Sequence, residues 1–272
     1  MCSVSGSTWT RYVALGDSIT EGFCDPAPAK TGPAPGVEWL GWADRLAVIL
    51  DGHARLGRTS FEFANLAVRG RRIAHVVDDQ IPRAIGLHAD LVSVMIGGND
   101  LMSPKADPDA LATRLETGIR RLRSTGANVL LANCFDPQFA FFLKPFRGRA
   151  AVFNADIWSI ARANGATVLD VWGIREFQQT SMWAADRVHL STLGHRLLAA
   201  RAAHVLGIPY AEIAARTVTA ADAQTTPPVT LPLRTWLRLY AIPWAGRRLR
   251  GVSAGDGLSP KLPVPSRVGA PQ

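Results

Sequence analysis

Short apolar segments alternate with longer helix-like segments along most of this chain of 272 residues. Each short segment contains β-branched or aromatic residues and ends at glycine, asparagine, aspartate or proline, as is typical of strands that lead into turns. The predicted strands are Tyr12–Leu15, Phe61–Asn65, Leu91–Ile96, Val129–Ala132 and Thr167–Val171. The predicted helices are Glu38–Leu50, Ile73–Ile85, Pro108–Ser124, Arg149–Asn164 and Thr192–Leu206.

This alternation predicts an α/β fold. Parallel strands need crossover connections, which helices provide, so the pattern favours a three-layer sandwich with helices on both faces of a mostly parallel, five-stranded sheet. Ligands of such open sheets bind beyond the carboxyl ends of the strands. Functional side chains are therefore expected in the loops that follow the strands.

Three of these loops place a polar residue or a glycine where it can serve a reaction. Ser18 ends a Gly-Asp-Ser turn after the first strand, where the N–H groups of a following helix favour developing negative charge. Gly70 ends the loop that begins at Asn65 and lets the backbone approach a ligand closely. Asn99 follows a Gly-Gly pair and offers a neutral amide donor for an oxyanion. Each loop taken alone is also ordinary turn chemistry.

A histidine with an acidic residue three positions before it precedes the last predicted helix. On a loop, the Asp186 carboxylate can fold back to the imidazole of His189, fix its tautomer and stabilise the imidazolium formed in proton transfer. His195 is a rival base, but it falls inside the predicted helix and lacks an acidic residue three positions before it. The other histidines are interpreted as structural.

In this order, the four blocks resemble those of the SGNH hydrolases, also called GDSL-type esterases or lipases. The resemblance covers residues 12–206 and implies the flavodoxin-like fold of that family. It implies that Ser18 is the nucleophile, that His189 is its base, and that Asp186 orients the base. Ile19 stands where the family has leucine, and both residues are apolar.

The resemblance also implies the reaction, which is cleavage of carboxylic esters through an acyl-enzyme on Ser18. The oxyanion hole would consist of the backbone N–H groups of Ser18 and Gly70 and the side chain of Asn99. Small-molecule esters, acylated sugars and lipids all fit this chemistry. It needs no cofactor and no metal, and the sequence has no cluster with metal-ligand spacing.

Two features near these blocks allow two readings each. Arg69 stands before Gly70 where the family more often has a small residue, so its guanidinium either faces an acidic group on the substrate or forms an ordinary salt bridge. The segment from Cys134 to Arg149 contains five phenylalanines, which either wall an acyl pocket or pack as core or lid.

Positive charge is concentrated near the C-terminus. The net charge is +8, and residues 225–272 hold seven basic residues against one acidic residue. We predict a catalytic domain at residues 1–215 and a basic extension at residues 216–272, with a linker at 225–232 and disorder at 252–272. Residues 233–250 fit an interfacial helix on anionic lipid, or else Trp236 packs back on the domain while the arginines face water.

Composition excludes several other classes of protein. A hydrophobic content of 47% supports a sizeable core, and no apolar run approaches the length of a membrane span. The first residues lack a signal-peptide pattern, so we predict a cytoplasmic protein, peripheral to the inner membrane face if the extension binds lipid. The widely spaced Cys2, Cys24 and Cys134 are predicted to be free thiols. No nucleic-acid partner is expected, and the oligomeric state is open.

Two further functions stay open from the sequence. An acyltransferase would use the same Ser18 and His189, with an alcohol replacing water as the acceptor. A non-catalytic, flavodoxin-like binding module would hold phosphate in its glycine-rich loops, but it assigns no role to the pair of Asp186 and His189.

Overall fold

The computed structural model describes residues 9–27, 39–217, 231–243, 246, 250 and 252–268. The N-terminal residues 1–8, most of the linker predicted at 225–232, and the last four residues lie outside the described part. Helix Tyr210–Thr217 runs across the boundary predicted at residue 215, and the division into a domain and an extension stays a prediction.

The described residues form one sheet of six strands, sandwiched between two layers of helices. The α/β three-layer fold is thereby confirmed, and the five predicted strands are present with small differences at their ends. The strands are β1 (Arg11–Gly16), β2 (Glu62–Asn65), β3 (Leu91–Met95), β4 (Asn128–Ala132), β5 (Thr167–Leu169) and β6 (Leu262–Arg267). Their order across the sheet is β5-β4-β3-β1-β2-β6.

Strand β6 corrects two expectations, a five-stranded sheet and disorder throughout residues 252–272. It pairs antiparallel with β2, where Arg267 lies opposite Glu62 and Ser266 opposite Phe63. The segment contains Pro263 and Pro265, and proline cannot donate to a ladder. At the edge of a sheet, however, only one side of the strand is paired, so proline is tolerated there.

Helices cover both faces of the sheet because adjacent strand residues point in opposite directions. In β1, Tyr12 and Ala14 belong to the core shared with α2, α8 and α9, whereas Val13 and Leu15 belong to the core on the other face. The helices are α1 (Ser18–Glu21), α2 (Trp42–Leu56), α3 (Ile73–His75), α4 (Ile81–Gly86), α5 (Gly98–Leu101), α6 (Pro108–Ser124), α7 (Arg147–Asn164), α8 (Thr192–Val205), α9 (Tyr210–Thr217) and α10 (Leu233–Trp236).

Two kinds of shorter helix complete the described structure. A π-helix joins α3 to α4 within the helix predicted at Ile73–Ile85, and a second π-helix follows α10; they are Val76–Gln80 and Leu237–Ala241. The 3-10 turns are Pro137–Phe139, Lys144–Phe146, Arg175–Gln178 and Thr180–Met182. Among the described residues, no helix combines the length and apolar character that crossing a membrane requires.

The described part of the extension packs back on the domain at several places. Lys261 Nζ lies 2.6 Å from Asp44 Oδ2 and also donates to the carbonyl oxygen of Trp39 at 2.9 Å. A β-carbon added to Gly70 would collide with Ser253 Oγ, so the extension touches the loop after β2. Trp236 is buried, which is the alternative that the sequence left open for this segment.

Candidate active site

Ser18 lies at the carboxyl end of β1, as the first residue of α1. Asp17 caps this short helix, because its side chain accepts a hydrogen bond from the N–H of Ile19 at 3.2 Å. Buried Gln80 holds the end of the strand, since its side chain accepts from Gly16 N at 2.8 Å and donates to Gly16 O at 2.9 Å. The hydrogen bonds of Gln80 and Asp17 therefore hold the backbone before and after Ser18 and fix the position of the serine.

Gln80 was missed by the sequence reasoning, although a signal for it exists. The residue stands on the apolar face of the predicted helix, four positions after Val76 and four before Ala84, where a lone polar side chain is unexpected. Buried polar groups need hydrogen-bond partners, and here the partners are both backbone groups of Gly16.

The fold brings the serine and the predicted base together across 171 positions of sequence. His189 Nε2 lies 2.9 Å from Ser18 Oγ, and His189 Nδ1 lies 2.5 Å from Asp186 Oδ2. When Nδ1 carries the proton that Asp186 accepts, Nε2 is left as an acceptor for the serine hydroxyl. The three side chains thus form one continuous hydrogen-bonded chain.

The Asp186 carboxylate is held in its ionised form. Its Oδ1 accepts from the N–H groups of Val188 and His189, each at 3.0 Å. Burial alone would raise the pKa of Asp186, but the neighbouring His189 and these hydrogen bonds lower it to about 2. Arg187, between them, has a left-handed φ of 59°, so the loop is bent sharply at this point.

Asn99 reaches the same site from the start of α5. Its Nδ2 donates to Asp17 Oδ2 at 3.1 Å and to the carbonyl oxygen of Arg71 at 3.0 Å, so both amide hydrogens are engaged in this state. Burial raises the pKa of Asp17 to about 6. Gly70 has a left-handed φ of 74°, a conformation that favours glycine.

An apolar cavity of about 150 Å³ opens beside Ser18 and Asn99. The segment after β4 provides three of its aromatic walls, so part of the phenylalanine-rich stretch lines a cavity. Other phenylalanines of that stretch lie elsewhere, since Phe142 packs against Trp236. The apolar side chains of the wall are Ile19, Met95, Ile96, Leu101, Met102, Phe135, Phe139, Leu143, Phe146, Trp183 and Val188.

The model of the GDSL-like lipase/acylhydrolase family matches residues 14–197 of the chain, a span that contains all of these loops. The chain belongs to this family. The sequence resemblance is confirmed, and with it the enzyme class, a carboxylic ester hydrolase. No curated protein sequence matches the chain.

Solved structures of similar fold include esterases. LAE5, an alpha/beta hydrolase enzyme from the metagenome of Lake Arreo, aligns with a TM-score of 0.61 and 21% identity over 73% of this chain and 95% of its own. Axe2, an acetylxylan esterase from Geobacillus stearothermophilus, aligns with a TM-score of 0.59 and 20% identity over 74% of this chain and 95% of its own. TesA aligns with a TM-score of 0.57 and 18% identity over 72% of this chain and 98% of its own. These similarities concern the fold.

Arg69, which departs from the usual pattern of the family, forms a salt bridge. Its guanidinium NH2 lies 2.6 Å from Glu21 Oε1, and its backbone N–H donates to Glu21 Oε2 at 2.7 Å. The guanidinium also stacks over Phe23 at 4.1 Å, and Phe23 meets the ring of His189 edge-on at 4.9 Å. The second reading of Arg69 therefore holds, and the sequence did not reveal the contact of Arg69 with Phe23 or that of Phe23 with the imidazole.

Within the part of the chain that the structure describes, Cys24 belongs to a grouping that could hold a metal ion. The potential ligand atoms of Cys24, Asp186 and His189 lie within 4.8 Å of one another, a grouping that spacing alone did not predict. Asp186 and His189 already use these atoms for each other. Burial, followed by the charge of Asp186, raises the pKa of the Cys24 thiol, whereas a metal would need the thiolate.

The rival base has a structural role. His195 is buried, and its Nδ1 accepts a hydrogen bond from the backbone N–H of Trp42 at 3.1 Å. Burial lowers the pKa of His195 well below its usual value, so the ring stays neutral. Cys24 and Cys134 are free thiols, as predicted, and Cys2 lies outside the described residues.

Proposed function

We propose that this chain cleaves carboxylic esters through an acyl-enzyme on Ser18. The observation that carries the proposal is the hydrogen-bonded chain from Ser18 Oγ through His189 to Asp186, with distances of 2.9 and 2.5 Å, at the edge of an apolar cavity. Serine is a weak nucleophile by itself and needs an adjacent base, which in turn needs an orienting group.

The first half of the reaction forms the acyl-enzyme. His189 Nε2 takes the proton of Ser18 as Oγ attacks the ester carbonyl, and Asp186 stabilises the resulting imidazolium. The tetrahedral intermediate collapses when the imidazolium returns the proton to the leaving alkoxide, which departs as an alcohol. A water molecule then repeats the sequence on the acyl-enzyme, with the same base, and releases the carboxylic acid.

The oxyanion of both intermediates would be stabilised by the N–H groups of Ser18 and Gly70 and by Asn99. Because the Asn99 amide binds Asp17 and Arg71 at rest, it must release one of these acceptors as the oxyanion forms. Exchanging the carbonyl oxygen of Arg71 for the oxyanion favours the transition state over the resting enzyme, because a full negative charge accepts a hydrogen bond more strongly than a carbonyl does.

The cavity suggests the length of the acyl group. An apolar cavity near 150 Å³ binds benzene in another protein, so an acyl chain of roughly six carbons fits here. An acetyl group, as in the substrate named for Axe2, would leave most of this apolar surface uncovered. Burial of each further methylene would raise kcat/KM roughly fourfold until the cavity is filled.

The test is a series of p-nitrophenyl esters from acetate to dodecanoate on the wild type, Ser18→Ala and Ser124→Ala. Ser124 is exposed at the end of α6 and serves as the matched control. We expect a maximum near the hexanoate and, in Ser18→Ala, a loss in kcat of order 10⁶. Activity that survives Ser18→Ala would refute the nucleophile, and a maximum at acetate would refute the role of the cavity.

The acyltransferase reading makes a different prediction for the same acyl-enzyme. If an added alcohol at millimolar concentration captures most of the acyl group as a new ester, the acceptor is an alcohol and the proposal of hydrolysis is wrong. Free carboxylic acid as the main product supports hydrolysis.

A further inference from the structure

The C-terminal extension reaches the catalytic loops although it lies beyond the residues that define the family. The family match ends at residue 197, whereas residues 231–243 lie against the loop that carries Asp186. Within this segment Trp236 is only 4% exposed, while Leu233 and Leu237 beside it are largely exposed. Trp236 therefore provides a buried contact between this segment and the site.

Trp236 binds the backbone of the residue that orients the base. Its indole Nε1 donates to the carbonyl oxygen of Asp186 at 3.1 Å in a buried contact. Its ring packs 4.8 Å from the ring of Phe142. A buried carbonyl without a partner costs stability, so this hydrogen bond favours one orientation of the peptide group that follows Asp186.

That peptide group enters the strained part of the loop. Arg187, the next residue, has a left-handed φ of 59°, a conformation that persists only where surrounding contacts determine it. The bend in turn lets the N–H groups of Val188 and His189 reach Asp186 Oδ1. Trp236 thus binds the backbone carbonyl of Asp186, while N–H groups of the Asp186 loop itself bind its carboxylate.

We propose that Trp236 is a positioning residue for the reaction, which acts by holding the Asp186 loop in the conformation that orients His189. The proposal rests on the proposed function, because it concerns the rate at which Ser18 is activated. It assigns to the extension a part of the active site that the matched family segment does not contain.

The decisive variant is Trp236→Phe, which keeps an aromatic ring but loses the N–H donor. A single hydrogen bond is worth a factor of about 2 to 12, so we expect kcat to fall several-fold with KM unchanged. The rate of labelling by a fluorophosphonate should fall in parallel. Trp158→Phe, on the exposed side of α7, is the matched control and should behave as the wild type.

Three outcomes separate this inference from the proposed function. A wild type that neither hydrolyses esters nor reacts with the fluorophosphonate defeats the proposed function. An active wild type with unchanged kcat and labelling rate in Trp236→Phe overturns the inference alone. A fall in kcat that accompanies a lower melting temperature and disappears well below that temperature also overturns it, because the role of Trp236 would then be stability.

The outer side of the same segment carries a different feature, a cluster of exposed apolar side chains. Leu233, Leu237, Leu239 and Ile242 are 39 to 65% exposed, all within ten residues. Clusters of this kind are uncommon on the surface of a monomer and mark interaction sites.

The charge around this cluster indicates the kind of partner. Arg234 and Arg238 are exposed within it, and no acidic residue occurs between Asp222 and Asp256 in the sequence. Apolar side chains mixed with arginine fit an anionic lipid surface. A second copy of the chain fits less well, because like charges would meet across the contact.

The cluster lies close to the cavity. Trp236 lies between the exposed segment and the loop after β4, where its ring is 6.5 Å from that of exposed Phe141. The same loop lends Phe139 and Phe146 to the wall of the cavity. We infer that the exposed face of residues 233–242 docks on anionic lipid and presents the cavity to esters in the membrane surface.

The test is co-sedimentation of the full chain with vesicles of phosphatidylcholine alone or mixed with phosphatidylglycerol. We expect binding to the mixed vesicles only, reduced about tenfold or more in Leu239→Glu/Ile242→Glu. Leu56→Glu, at the end of α2, is the matched control because Leu56 is also exposed. All three proteins should hydrolyse a soluble p-nitrophenyl ester equally.

Absence of binding to the mixed vesicles, or equal binding by the double variant, would overturn the docking surface. Self-association of the wild type that the double variant abolishes would assign the face to a second copy and overturn it as well. Hydrolysis of soluble esters reports on the proposed function independently of either result.

Discussion

The catalytic loops and the C-terminal extension meet at the same site, but they are held there in different ways. Ser18 and Asn99 lie at the starts of α1 and α5, just after strands β1 and β3, so the layered core determines where their backbones are, whereas the Asp186 loop is also contacted by Trp236. The extension is held by separate contacts, which are the hydrogen bond of Trp236, the ion pair of Lys261 and the ladder of β6. Losing one contact should therefore affect the two regions differently.

An architecture shared with the family and a segment outside the family match thus meet at one site without a common sequence signal. Substitutions in the loops should change the chemistry and leave the fold intact. Substitutions in the extension should change stability or the orientation of a loop, and reach the chemistry only indirectly. Four substitutions, at Asp186, Lys261, Asn99 and Asp17, test this division.

The largest effect is expected for Asp186→Asn. The amide can donate to His189 Nδ1, which favours the tautomer whose Nε2 cannot accept the proton of Ser18, and kcat should fall by about 10⁴. Asp79→Asn, on an exposed helix surface, is the control. Steady-state kinetics together with thermal unfolding check the prediction, and a loss of activity explained by unfolding would break the division between the two regions.

The extension should contribute strongly to stability through Lys261. Asp44 is fully buried and Lys261 is 11% exposed, so Lys261→Met leaves a buried carboxylate without its cation and should lower the free energy of unfolding by about 3 kcal/mol or more. Lys144→Met, at an exposed position, should change it little. Urea titration measures the free energy of unfolding of both variants, and equal values would show that the contact of the extension through Lys261 contributes little to stability.

Asn99→Ala separates the oxyanion hole from the triad. Loss of one donor should lower kcat by about 10²–10³ while KM changes little, because the interaction forms in the transition state. Asn128→Ala, exposed at the start of β4, is the control. Kinetics with the best p-nitrophenyl ester decide, and an effect confined to KM would mean that Asn99 binds the ground state instead.

The smallest effect is a dependence of stability on pH that Asp17→Asn should reduce. Burial raises the pKa of Asp17 to about 6, so the folded protein binds an extra proton between roughly pH 4 and 6 and its stability falls as the pH rises through that window. Burial also raises the pKa of Asp100 to about 6, so Asp100 contributes to the same pH dependence in the wild type and in Asp17→Asn. Asp186 acts in the opposite sense. Because its pKa is lower in the folded protein, at about 2, it stabilises the fold above about pH 4, and this contribution is lost as the pH falls below that value.

Denaturant unfolding at intervals between pH 4 and 7 measures this slope. Asp17→Asn should remove at most ~1.4 kcal/mol per pH unit from it. An unchanged slope would show that Asp17 is ionised throughout the window and that its contact with Asn99 is that of a carboxylate.

The α/β alternation, the five parallel strands and the loops that hold Ser18, Asn99 and His189 could all be predicted from the sequence. These features are recorded locally, because the periodicity of an element and the turn that ends it lie within a few residues. The π-helix at Val76–Gln80 interrupts a helix that periodicity treated as continuous, and it ends at the glutamine that braces Gly16.

The tertiary structure alone decided how the extension is used. Proline-rich residues become strand β6 because β2 offers a free edge, and Trp236 is buried where its indole meets the carbonyl of Asp186, 50 positions earlier, and the ring of Phe142. Contacts over such separations leave no periodic trace in the sequence. They arise when the core has already placed both partners, so local patterns predicted the loops, whereas the sequence offered the packing of Trp236 on the domain only as one of two readings and did not predict β6.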